Sequence, residues 1–176
     1  MLPENGVNVM KKGKMLVRAS LLAAMCFVAT WIVQIPVPPG YVNFGDCVVL
    51  LAGWLLGPWW GGAAAAVGSV LVDVLGPFAV YAPATFVIRF VMAVLAAVFY
   101  RRLAGKNHRV WGMVVGAVLA ECLMVLGYLC YEWFALGLGA AALGSVPFNM
   151  IQGFIGGVAA VTVGVLMGRS GAIKRE

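Results

Sequence analysis

Long apolar runs alternate along this chain with short polar islands. Apolar residues fill most of positions 15–100, between the basic residues at 11–18 and those at 101–109, and a second apolar block fills 110–168. A membrane-crossing helix needs ~20 residues. The first block therefore holds four crossings, one of them short, and the second holds two. The expected spans are 15–35, 46–58, 61–76, 82–101, 110–134 and 147–168, all in one domain. Pro36 stops the first helix, Gly57-Pro58 ends a short second one, and Pro83 and Pro147 open the fourth and sixth. Met1 to Asn8 are polar and expected to fray. The first apolar run is too long for a signal peptide and lacks a small-x-small cleavage site.

The most distinctive island is Pro38-Pro39-Gly40-Tyr41-Val42-Asn43-Phe44-Gly45-Asp46. Its prolines cannot donate hydrogen bonds, and Asn43 and Asp46 can satisfy backbone groups locally, so it reads as a loop. Such backbone is tolerated only at a membrane surface or lining a cavity enclosed by protein. The stretch GPFAVYAP reads as a second outer turn, and Trp59 and Trp60 fall where interfacial rings settle.

Composition changes the picture from apolar to membrane-embedded. Hydrophobic residues make up 64% of 176 positions and charged residues 10%, with mean hydropathy +1.02, more apolar surface than a soluble domain of this size can hide. The fold class is an all-α integral membrane protein with six transmembrane helices. Net charge is +6, but its placement argues against nucleic acid. Eleven of the twelve Lys and Arg residues form three clusters: Lys11, Lys12, Lys14 and Arg18; Arg101, Arg102, Lys106 and Arg109; Arg169, Lys174 and Arg175. The positive-inside rule puts all three in the cytoplasm, with both termini. His108 lies alone in a basic loop. Cys26, Cys47, Cys122 and Cys130 are scattered without CxxC spacing and read as buried hydrophobes, with neither disulfide nor metal.

Ionisable residues within spans are costly and so become functional candidates. These are Asp73, Arg89, Glu121 and Glu132, with Asp46 at a rim. At about 100° per residue Glu121, Tyr128 and Glu132 share one stripe ~16 Å long, and Asn149 and Gln152, three apart, share a face of the sixth helix. With Asn43 they make the expected small-molecule site: few oriented polar groups in apolar walls, opening away from the cytoplasm. Structural readings compete with this one. Asp46 can simply cap a helix, Arg89 can neutralise Asp73 or Glu121, Asn149 and Gln152 can bond across helices, Glu132 can face water, and Tyr128 can pack. Four acids against one Arg89 leave the site acidic, which favours a neutral or cationic, donor-rich ligand over a phosphorylated one.

Four motifs, GYVNFGDCVVLLAGWLLGP, APATFVIRFVMAVLAA, ECLMVLGY followed by Glu132, and PFNMIQG, together resemble the substrate-binding S components of energy-coupling factor (ECF) vitamin transporters. The similarity is to the group handling riboflavin, hydroxymethylpyrimidine and pyridoxine. It implies capture of such a vitamin or precursor from outside a cell membrane of the bacterial plasma-membrane type, for ATP-driven uptake. The implied partners are a transmembrane coupling subunit and two cytoplasmic ATPase subunits. Ala19 and Ala23, spaced AxxxA, resemble the face by which S components dock on the coupling subunit, although such spacing also serves internal packing. No GxxxxGK[ST] occurs, so this chain is expected to carry no cofactor and to leave ATP to its partners. An autonomous proton-coupled carrier using Glu121 or Asp73 is the alternative. An enzyme is not expected, since neither a nucleophile beside a base nor HExxH appears.

Overall fold

The computed structural model describes residues 4–103 and 109–169, with side chains from residue 12 onward. Lys106, His108, Lys174 and Arg175 lie outside the described residues, as do the side chain of Lys11 and the first three positions.

Among the described residues the chain forms six α-helices: α1 (Glu4–Ile32), α2 (Gly45–Leu56), α3 (Pro58–Leu75), α4 (Ala82–Leu103), α5 (Arg109–Cys130) and α6 (Val146–Arg169). Helix α1 begins well before the expected residue 15, because Met10, Lys11, Lys12, Lys14 and Met15 are good helix formers and outweigh Gly13. Residues 4–8, expected to fray, are helical. Prolines sit where their missing N–H costs nothing, as Pro58 does at the start of α3. Among the described residues five segments are long and apolar enough to cross a membrane, and α2 is not one of them.

Helices α1, α3, α4, α5 and α6 follow one another as packed neighbours. Helix α2 lies inside this arc, against α1, α3, α4 and α6. Nearly every residue of α2 is buried, Val49, Leu50 and Ala52 completely. Lipid cannot drive apolar helices together, so close approach must do it. Gly53 of α2 lies against the Ala93 carbonyl of α4, and Gly68 of α3 against the Ala23 carbonyl of α1; an added Cβ would strike either oxygen. Ala19 is buried in the core and Ala23 packs against it. The AxxxA face of α1 is thus turned inward on α3. Val17, Ser20, Ala24 and Val28 are among the exposed residues of α1.

Twelve residues give α2 a length of about 18 Å, against ~30 Å of hydrocarbon. Its C-terminal turn at Gly57 (φ 80°) meets the guanidinium of Arg101 at the cytoplasmic end of α4. Its N-terminus meets Thr30, two residues before the outer end of α1. The depth that α2 leaves on the outer side is taken by the Pro38-Pro39 island, which is a hairpin rather than an irregular loop. Strands β1 (Ile35–Val37) and β2 (Gly40–Val42) pair antiparallel, Ile35 with Val42 and Val37 with Gly40, and the two prolines make the turn. Pairing satisfies the backbone groups that a bare loop would leave open.

Candidate functional site

Above the N-terminus of α2 the hairpin, α3, α4, α5 and α6 enclose a cavity. Its polar lining comes from Tyr41 and Asn43, Asp73, Thr85 and Arg89, Tyr128 and Glu132, and Asn149 and Gln152, with Tyr81 and Ser145 from the outer connections. The space is about 430 Å³ counting its mouth, of which only about 30 Å³ admits the centre of a water molecule. A vitamin-sized ring therefore needs the walls to part.

The floor is ionic. Asp46, at 0% exposure, follows Gly45 in the first turn of α2 and pairs with Arg89 of α4, which is 2% exposed. Gln152 of α6 donates to the other Asp46 oxygen at 2.8 Å and accepts the Asn43 backbone N–H at 2.8 Å. Asn43 accepts the Gly45 N–H at 2.8 Å. Four chain segments thus converge on one buried ion pair. Gly156 of α6 permits it, because a side chain there would collide with Cβ of Asp46. Sequence alone puts Asp46 at the rim of the ligand site, with helix capping as the alternative, and Arg89 in that site, with pairing to Asp73 or Glu121 as the alternative. Asp46 is instead fully buried and is itself the partner of Arg89.

The walls carry two carboxyl groups. Asp73 Oδ1 accepts the Tyr41 hydroxyl at 2.6 Å, while its Oδ2 is buried without a hydrogen-bond partner among the described residues. Burial, and then the neighbouring Asp73 carboxyl, push the Tyr41 phenol above its usual range, so it remains a donor. Glu132 sits in a π-helical turn, Tyr131–Ala135, that continues α5. It accepts from Ser145 at 2.5 Å and from Tyr81 at 3.3 Å, and is 3% exposed rather than facing water. Tyr128 shares a hydrogen bond with Thr85 at 3.0 Å, and the Arg89 guanidinium lies 5.9 Å from its ring centroid. The rings of Tyr41, Phe78, Tyr81 and Tyr128 follow one another at centroid distances of 4.8, 6.4 and 6.3 Å, a partly aromatic wall.

Of the residues selected by sequence, Asn43, Asp73, Arg89, Tyr128, Glu132, Asn149 and Gln152 line the cavity. Asp46 lies behind Arg89. Glu121 does not reach the cavity. It shares the azimuth of Tyr128 but lies two turns deeper, with its carboxyl against Gly153 of α6 and both oxygens without hydrogen bonds among the described residues. Tyr41, Tyr81, Thr85 and Ser145 were missed. Tyr81, Thr85 and Arg89 are spaced i, i+4, i+8, a pattern that points to one face, whereas Ser145 in a Gly/Ala-rich connection carried no such signal. No cluster of three His, Cys, Asp or Glu suited to a metal occurs among the described residues.

The family described as ECF-type riboflavin transporter, S component, matches residues 10–169. An uncharacterized protein of Pyrococcus woesei is 37% identical over 116 residues, covering 65% of this chain and 75% of its own. A solved structure of the S component of a bacterial ECF transporter superposes with TM-score 0.69 over 93% of this chain and 99% of that one, at 23% identity, which shows a common fold. The chain belongs to the ECF-type riboflavin transporter S component family: multi-pass, non-enzymatic membrane subunits that bind a small-molecule substrate and associate with a membrane-embedded coupling subunit and ATPases.

Proposed function

We propose that this subunit sits in the cell membrane and captures a neutral or cationic, donor-rich vitamin or precursor from the outer side, for uptake driven by ATP bound to its partners. The candidate classes are riboflavin, pyridoxine and hydroxymethylpyrimidine. The observation that carries this is the charge layout of the cavity. Its guanidinium is held by Asp46, while Asp73 presents a buried oxygen that has only the Thr85 hydroxyl nearby, outside full hydrogen-bond distance, and Glu132 a second carboxyl. An acidic ligand would meet carboxyl groups with no uncommitted cation to offset them, whereas hydroxyl, ring N–H or amino donors would complete the unfilled acceptors. The Tyr41, Tyr81 and Tyr128 rings supply flat apolar walls for a heteroaromatic ring. The hairpin is the moving wall. It is tied across the mouth by Tyr41 to Asp73 and by Asn43 to Gln152, and access requires those bonds to open.

The test is calorimetry or flavin-fluorescence titration of purified protein with riboflavin, pyridoxine, hydroxymethylpyrimidine and their phosphate esters. A neutral vitamin is expected to bind more tightly than its ester. Tight binding of an ester with none of the neutral compounds overturns the proposal. Docking of the coupling subunit belongs to the exposed face of α1, since Ala19 is buried and the Ala23 carbonyl lies against Gly68 of α3. Ser20→Leu with Ala24→Leu should reduce co-purification of that subunit and leave vitamin binding intact. Unchanged co-purification excludes this face.

A further inference from the structure

We infer that a second site, at the opposite end of the molecule, binds the phosphate headgroup of an anionic phospholipid of the cytoplasmic leaflet. Between the start of α5 and the end of α6 lies an open cleft, about 740 Å³ counting its wide mouth, that the vitamin site does not use. Its wall is apolar, from Val110, Met113 and Val165, and Arg109 and Arg169 stand at its edge. Gly164 and Gly168, one turn apart on α6, keep it open. A side chain at Gly164 would meet Met113 and Trp54, and one at Gly168 would meet the Arg109 guanidinium.

Arg109 is held over this space and does not trail into solvent. Its guanidinium lies 5.9 Å from the Tyr100 ring centroid of α4 on one side and against Gly168 on the other. It is also the first residue of α5, where backbone N–H groups add positive partial charge. Charge complementarity names the occupant. Four of the six acids, at positions 46, 73, 121 and 132, lie in the outer half or mid-membrane; by sequence only Glu4 and Glu176 fall near the cytoplasmic ends, beside eleven basic residues. A basic rim above an apolar hollow, at the membrane level where headgroups lie, matches a lipid that offers phosphate and acyl chain together. Free phosphate would use the arginines and waste the hollow.

The experiment is native mass spectrometry of the full chain, released from mixed phosphatidylglycerol and phosphatidylcholine nanodiscs. Wild-type protein is expected to retain phosphatidylglycerol over phosphatidylcholine. Arg109→Gln with Arg169→Gln should lower that retention roughly thirtyfold, and Arg169→Gln alone, at an exposed helix end, about fivefold. Arg18→Gln with Arg102→Gln removes equal charge from exposed positions away from the cavity and should retain the lipid as wild type does. Equal loss in both double variants, or no preference for phosphatidylglycerol in the wild type, overturns the inference. So does complete displacement of the lipid by millimolar inorganic phosphate, which would mark a free-anion site. If no lipid is retained but the Arg109/Arg169 pair is needed for co-purification with the coupling subunit, the surface belongs to that protein.

Discussion

The two halves of this bundle are built on opposite principles. On the cytoplasmic side small residues let backbones touch, as at Gly53 on Ala93, and charge is confined to the rim. On the outer side α2 stops short, and the vacated depth is filled with a hairpin, a buried ion pair and two further carboxyl groups. The inner half is held by shape and the outer half by polar satisfaction. Shape tolerates no added volume and polarity tolerates no missing partner, so each half fails differently.

The sharpest way to break the comparison is to strip one partner from the ion pair. Asp46→Ala leaves the Arg89 guanidinium buried at 2% exposure with its counter-ion gone, and Gln152 loses an acceptor. A loss of about 3–5 kcal/mol is expected, read as a large fall in the thermal midpoint in detergent. Asp46→Leu with Arg89→Met should recover most of that stability and bind no vitamin. If the single variant melts like wild type, the outer half is not held by polar satisfaction.

Gly53→Val probes the other half. The new side chain collides with the Ala93 carbonyl and pushes α2 from α4, at a cost of about 1–3 kcal/mol. Because that contact lies away from the cavity, folded protein should keep its vitamin affinity. Melting and titration on the same sample separate the two effects, and lost affinity at unchanged stability would show that the halves are not independent.

A more local test is Asp73→Asn. It removes a carboxyl that serves Tyr41 and presents an unpartnered oxygen to the cavity. Vitamin affinity should fall roughly ten- to hundredfold, with little change in melting. Unaltered affinity would remove Asp73 from the ligand contacts.

Those contrasts mark what the linear sequence could and could not reveal. Hydropathy exposed the helices, since bilayer thickness imposes a length that composition must match. The cost of charge within a span singled out Arg89 and Glu132, and Asn149 and Gln152 stood out because residues three apart share a face. Periodicity yields azimuth, however, and says nothing about which neighbour lies opposite. Ala19 and Ala23 were placed on one face correctly, yet only packing against Gly68 decides that this face looks inward. Likewise Arg89 finds Asp46 because a twelve-residue α2 begins deep, a tertiary fact. Tyr41 and Ser145 join the site through a hairpin and a connection whose geometry no helical pattern encodes.

Glu121 is where azimuth and depth part most clearly, and its removal should have the smallest effect on binding. It lies on the stripe of Tyr128 and Glu132, but seven residues before Tyr128 is ~10 Å deeper, beyond the cavity floor. Its carboxyl lies against Gly153 with neither oxygen hydrogen-bonded among the described residues. Glu121→Gln keeps the volume and removes the ionisable group, so vitamin affinity should stay within about threefold, less than the weakest hydrogen bond to a charged group would be worth. The same variant separates ATP-driven import from a proton-coupled carrier working through this carboxyl. Uptake by cells carrying the coupling subunit and ATPases should persist if Glu121 only fills the junction between α5 and α6. Abolished uptake with intact binding would instead make the deep carboxyl, at the boundary between the two halves, part of transport.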